Sequence, residues 1–175
     1  EAATKCNMAV LVKHNMEDGF KSGIQIPESL EIAKVIESYG VDGIVLSSGF
    51  VSKAPMAVMR GLIPIYTMSY YMPLWLRYFV RWFGPVMIKQ FPFEENFFYE
   101  NAMKFRKELK CPLVYVGGLV SREGIDKVLD SGFEMVQMAR ALINNPSFVN
   151  QLREGDISTR SGCDHRDYCI ARMYS

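Results

Sequence analysis

The chain has 175 residues, 49% of them hydrophobic, enough to bury a core as one domain and too apolar for a disordered segment. Lys and Arg number 20 against 19 Asp and Glu, a formal charge of +1, so no global field gathers nucleic acid or an anionic membrane, and any anion site must be local. Four cysteines, Cys6, Cys111, Cys163 and Cys169, are too few and too scattered for a secreted disulfide framework, which sets a reducing cytoplasm as the expected location.

The chain starts at Glu1 with no basic-then-apolar leader, and reads as a segment of a longer protein. Ala9 to Asn15 clusters aliphatics as a buried strand does, and a glycine-containing loop follows to Gly23. From Pro27 to Tyr39, Leu30, Ile32, Ala33, Val35 and Ile36 recur at helical spacing; Pro27 suits the first turn and Gly40 the stop. Gly43 to Ser48 is a second strand, which completes a β-α-β unit with a crossover long enough for parallel pairing.

Leu62 to Phe91 interrupts the pattern with Tyr, Trp, Phe, Met and Pro. Trp75 and Trp82, with Arg77, Arg81 and Lys89 snorkelling, would suit a membrane interface. A spanning helix is disfavoured by Pro64, Pro73 and a charge-free run shorter than the ~20 apolar residues a span needs. The favoured reading is an insertion, helical around Leu74 to Phe83, that packs over the mouth of the fold or against a partner, without membrane contact.

The βα pattern then resumes. Glu94 to Lys110 reads as a helix, Pro112 to Val116 as a strand, Ser121 to Asp130 as a helix, Glu134 to Ala139 as a strand, and Pro146 to Arg153 as a short helix. Four strands, each followed by helix or loop, predict an α/β fold with a parallel sheet. Apolar residues on both faces of the inner strands, such as Ile44, Leu46, Val114 and Val116, fit burial on both sides. Four such units are half of a (β/α)8 TIM barrel.

Two turns carry the chemistry. Gly117 and Gly118 let a backbone approach a phosphate closely; Ala139 and Arg140 repeat a strand-to-helix turn, and Arg140 adds a forked, permanently charged donor. Taken together, and on adjacent parallel strands, they match the phosphate site that barrels build after their last two strands. Taken singly, the glycines make a tight turn and Arg140 a surface salt bridge. Lys13 stands in an apolar strand, where it either stabilises negative charge on a bound ring or substrate or pairs with a neighbouring carboxylate.

Leu11 to Gly19, the strand end Ser47 to Phe50, the Val116 to Gly118 turn, Met138 to Pro146 and the cysteine tail resemble the NADH:flavin oxidoreductase, or Old Yellow Enzyme, family, in order along nearly the whole chain. The likeness is weakest from Ile63 to Gln90. Family members are FMN-binding (β/α)8 barrels, and the chain resembles their second half, strands five to eight. The resemblance implies residues 1–155 as that half-barrel, 62–91 as an aromatic helical insertion, and 156–175 as a cysteine-containing tail. It implies that Lys13 stabilises the reduced flavin ring, that Gly117 and Gly118 form the first phosphate turn, and that Ala139 and Arg140 form the second. Many relatives carry glycine in place of Ala139; a methyl is tolerated there if φ is negative.

Cys163 and Cys169 resemble part of a cysteine cluster that ligates iron and sulfur in some branches. Here Arg166 fills the place of a second cysteine, so with His165 the stretch offers fewer ligands than a closed metal site wants, and the expectation is no metal. His14 faces away from Lys13 along the strand and receives no catalytic role. The implied activity is hydride transfer from NADH or NADPH through FMN to a small-molecule electron acceptor such as an activated double bond. The implied partner is the missing N-terminal half of the barrel, and the oligomeric state stays open. The rivals are a non-catalytic half-barrel serving binding or assembly, with open sheet edges, and a barrel that takes another phosphate ligand.

Overall fold

The computed structural model describes residues 8–50, 60–62, 64–87, 91–155 and 160–171. Cys6 and Lys89 lie outside them. Four strands, β1 (Leu11–Asn15), β2 (Gly43–Ser47), β3 (Leu113–Val116) and β4 (Met135–Gln137), form one parallel sheet in chain order. The fold is therefore α/β, as the alternation of strands and helices predicts. Strand ends shift: β1 starts at Leu11 rather than Ala9, and β4 is confined to three residues of the expected six.

Helix α1 (Ile26–Ser38) joins β1 to β2, with Pro27 in its first turn. At its far end the Glu37 carboxylate accepts the Lys110 and Cys111 amides at 2.6 Å each, which ties the helix to the foot of β3. Burial, with the Glu37 charge beside it, pushes the Cys111 thiol up to about 11, so it stays protonated. Between β2 and β3 lie α2 (Ile65–Ser69), α3 (Leu74–Met87) and α4 (Tyr99–Glu108). After β3 comes α5 (Arg122–Asp130), whose Ser121 hydroxyl accepts from Gly124 N at 3.0 Å as an N-cap. Helices α6 (Arg140–Asn144), α7 (Phe148–Arg153) and α8 (Tyr168–Ala171) follow β4. No helix among the described residues is long and apolar enough to cross a membrane.

The core lies on one face of the sheet. Register aligns His14, Leu46 and Tyr115, and the latter two are fully buried against Phe98, Ala102 and Phe105. The next row across the strands, Lys13, Val45, Val114 and Met135, points the other way, since successive strand residues alternate faces. On that side Leu11, Lys13, Met135 and Gln137 are exposed. Parallel sheets occur almost only with both faces covered. The expected two-sided burial is thus met on the helix side and, on the second face, at Val114 of an inner strand, while that second face is bare at both edge strands.

Helix α4 begins at Tyr99 rather than Glu94, because Asn96 takes φ +59 and turns the chain before the helix. In the insertion, α3 runs on to Met87 through Pro85 and packs on α2, where Gly84 is buried against Ile65. Arg77 donates to the Tyr70 carbonyl, and Arg81 Nε to Ser69 Oγ at 3.0 Å. Their guanidiniums lie 5.2 Å and 5.4 Å from the Tyr70 and Tyr66 rings.

Candidate functional site

Gly117 and Gly118 follow β3, and Ala139 and Arg140 follow β4, its hydrogen-bonded neighbour, so the two turns share the carboxyl rim of the sheet. Gly118 has φ +73, a left-handed conformation that favours glycine, and a Cβ there would stand 2.7 Å from the Phe97 ring and 3.1 Å from Phe93. The Tyr115 hydroxyl donates to the Gly117 carbonyl at 3.1 Å, which fastens the turn to the core. Beyond the glycines, Glu95 Oε1 accepts from Val120 N at 2.9 Å, Ser121 N at 2.8 Å and Ser121 Oγ at 2.9 Å. Arg160 approaches its other oxygen at 3.4 Å. An internal carboxylate therefore already occupies the amides that start α5. The amides of Gly118 and Leu119 have no acceptor among the described residues.

Ala139 has φ −118, so its methyl is unstrained in the second turn. Arg140 is neither free nor at the surface. Its Nη1 donates to Asp167 Oδ1 at 2.7 Å and to the Arg60 carbonyl at 2.8 Å, and the Asp167 side chain is 4% exposed. Burial raises the Asp167 pKa against the opposing pull of Arg140. Two buried atoms in this cluster lack partners among the described residues: Asp167 Oδ2 and Arg60 Nε. The Arg60 guanidinium lies 4.9 Å over the Phe97 ring, and that of Arg140 5.8 Å from the Phe93 ring. Gly118, Arg60 and Arg140 thus border the same pair of phenyl rings.

The tail closes the outer side. His165 stacks on Phe93 with centroids 3.4 Å apart and planes at 11°. Its carbonyl accepts Leu62 N at 2.9 Å, and Gly61 N donates to Phe91 O at 2.9 Å. Gly61, with φ +148, lets the tail lie against it, since a Cβ there would overlap the His165 carbonyl. Gly61, Leu62, Pro92, Phe93, Asp164 and His165 line a cavity of about 330 Å³. Cys163 Sγ is 3.6 Å from His165 Nδ1. Among the described residues no three His, Cys, Asp or Glu side chains gather as metal ligands.

Burial, then the Arg140 charge, lowers the His165 pKa from 6.5 to about 4. As pH falls from 6.5 to 4, the unfolded chain takes up this proton before the folded one, so the stability that the neutral ring contributes is lost across that window. The His165 ring protons, followed by NMR, are expected to titrate with a midpoint near 4. A midpoint at the free-histidine value would mean that the tail does not dock on Phe93.

Lys13 is exposed on the bare face of the sheet, and no ion pair engages it among the described residues. The structurally paired role weighed for it has no partner there. The side chain projects from the row below the top of the strands, apart from the phosphate-turn residues. His14 is bound on the helix side, with Nε2 2.7 Å from Ser29 Oγ and 2.9 Å from Ser29 O, and meets Phe105 edge-on.

Arg60, Glu95 and Asp167 escaped the sequence reading, and His165 was weighed there only as a metal ligand. Glu95 looked like one more polar residue of a helix. Arg60 stands alone at the head of the aromatic stretch, and Asp167 lies 27 residues from its partner, with no spacing to announce it.

The chain is similar to a disulfide reductase. That protein, 4,4'-dithiodibutanoate disulfide reductase of Rhodococcus erythropolis, is 34% identical over 174 residues, which are 99% of this chain and 43% of the relative. The chain thus spans less than half the length of that curated relative. No protein-family model matches the chain.

Proposed function

We propose that this chain is the flavin-phosphate-binding half of an FMN-dependent NAD(P)H:acceptor oxidoreductase, strands five to eight of a (β/α)8 barrel. The observation that carries the reading is the rim cluster. Two guanidiniums, one with a buried Nε lacking an acceptor, and two open amides in a glycine turn border one pair of phenyl rings, with Asp167 offsetting a single charge. That donor set suits a small dianion such as the FMN phosphate. The bare face of the sheet supports the barrel, because four further strands would cover it. The relative's name supports a reductase with a disulfide as the acceptor class, beside the activated double bond that the family resemblance implies.

When bound, FMN supplies a two-electron carrier between a nicotinamide and the acceptor. The chain's own part is binding and charge. The Gly118 and Leu119 amides would hold the phosphate, and the Ala139 turn places Arg140 on the same rim. Asp167 and the Arg60 carbonyl hold the Arg140 fork in one orientation, and Arg60 Nε adds a donor. Lys13 presents its ammonium to the bare face, where it would stabilise negative charge on the bound ring. Phe93 and His165 exclude water from the outer side.

The test is the protein in its complete reading frame. It is expected to purify with flavin absorbance, and Arg60→Ala is expected to weaken FMN binding by about ten- to a hundredfold, the loss of one charged hydrogen bond. A colourless protein that takes up no FMN in titration would sink the reading and favour a half-barrel that serves only assembly.

A further inference from the structure

We propose that the outer face of α3 lies on a lipid bilayer that carries anionic headgroups. Trp75, Tyr78, Phe79, Trp82, Phe83 and Val86 recur at the three- and four-residue spacing that gathers side chains on one helix face. All six are exposed, Trp82 by 80% and Val86 by 89%. The polarity of the helix is inverted: its two arginines turn inward to Tyr70 and Ser69, and its aromatics face outward. A contiguous apolar stripe of this kind marks an interaction surface.

Charge selects the occupant. From residue 61 to 93 the chain carries Arg77, Arg81 and Lys89 and no Asp or Glu, that is, three of its 20 basic residues and none of its 19 acidic ones. A second copy would bring like charge to this surface; an anionic bilayer brings opposite charge. The arginines stand across the helix from the stripe, within about 10 Å and so within a Debye length of headgroups beneath it. Strands that complete the sheet add beside β1 and β4, whereas α3 hangs from the crossover between the inner strands β2 and β3. At 14 residues, or about 21 Å, the helix is too short to cross a hydrocarbon core of about 30 Å and lies in the interface plane.

The chain's two tryptophans are both in the stripe, so their fluorescence reports on it alone. The full chain is to be mixed with phosphatidylcholine vesicles and with the same vesicles doped with phosphatidylserine, then sedimented. Expected are co-sedimentation with the anionic vesicles, a blue shift of tryptophan emission and release by salt. The Trp75→Ser/Trp82→Ser variant, at exposed positions and with unchanged circular dichroism, should bind about tenfold more weakly. The proposal is overturned if emission does not shift with either vesicle, if the variant binds as well as the parent, or if the parent is a dimer that the variant returns to monomer. None of these outcomes depends on flavin content.

Discussion

Replacing Arg140 by alanine is expected to destabilise the protein by about 3–5 kcal/mol at neutral pH, the cost of leaving a buried carboxylate without its partner. The Asp167 side chain is 4% exposed, and its Oδ2 has no partner even with Arg140 present. Burial already raises the Asp167 pKa, and Arg140 is the charge that holds it down. Without the guanidinium the folded pKa climbs further above the unfolded value. A carboxyl shifted upward costs stability above its unfolded pKa, and that cost vanishes as pH falls below it, when both states are protonated. The destabilisation should therefore shrink on acidification. Asp167→Asn keeps the shape, removes the charge and should cost less than Arg140→Ala. Urea midpoints at two pH values decide the matter: a loss under about 1 kcal/mol that does not change with pH would make the pair an ordinary surface contact.

The second large effect is expected at Glu95. Its Oε1 collects two amides and a hydroxyl at the start of α5. Glu95→Ala leaves those donors without an acceptor in a mostly buried turn, at a cost of about 2–4 kcal/mol. Glu95→Gln retains an acceptor oxygen and should recover most of it. Amide hydrogen exchange at Val120 and Ser121 reads the same contact directly, and both should exchange faster in the alanine variant. Unchanged exchange would mean that the carboxylate only decorates the turn.

Local signals carried much of the fold. Pro27 and Gly40 bracket α1, Ser121 starts α5, and the aliphatic runs around Ile44 and Val114 became neighbouring parallel strands, because each of these choices is made within a few residues. The two rim turns were legible for the same reason: small residues directly after an apolar strand. Long-range partners were hidden. Nothing near Glu95 in sequence indicates that its carboxylate reaches residues 120 and 121, and the positive φ of Asn96 that delays α4 is a consequence of tertiary packing. The bare edge strands of the second face were equally invisible, since Leu11 and Met135 are apolar whether or not anything covers them.

The strands stand in space in the order in which they are synthesised. Each therefore finds its hydrogen-bonding neighbour one crossover back, and the wall can grow from its amino end as the chain leaves the ribosome. One closure is longer than the rest: residues 48–112 separate β2 from β3, against 16–42 between β1 and β2. Each doubling of such a loop costs about 0.6 kcal/mol in closure entropy. The aromatic detour, a little over one doubling, thus adds about 0.8 kcal/mol of closure entropy to the docking of β3 onto β2.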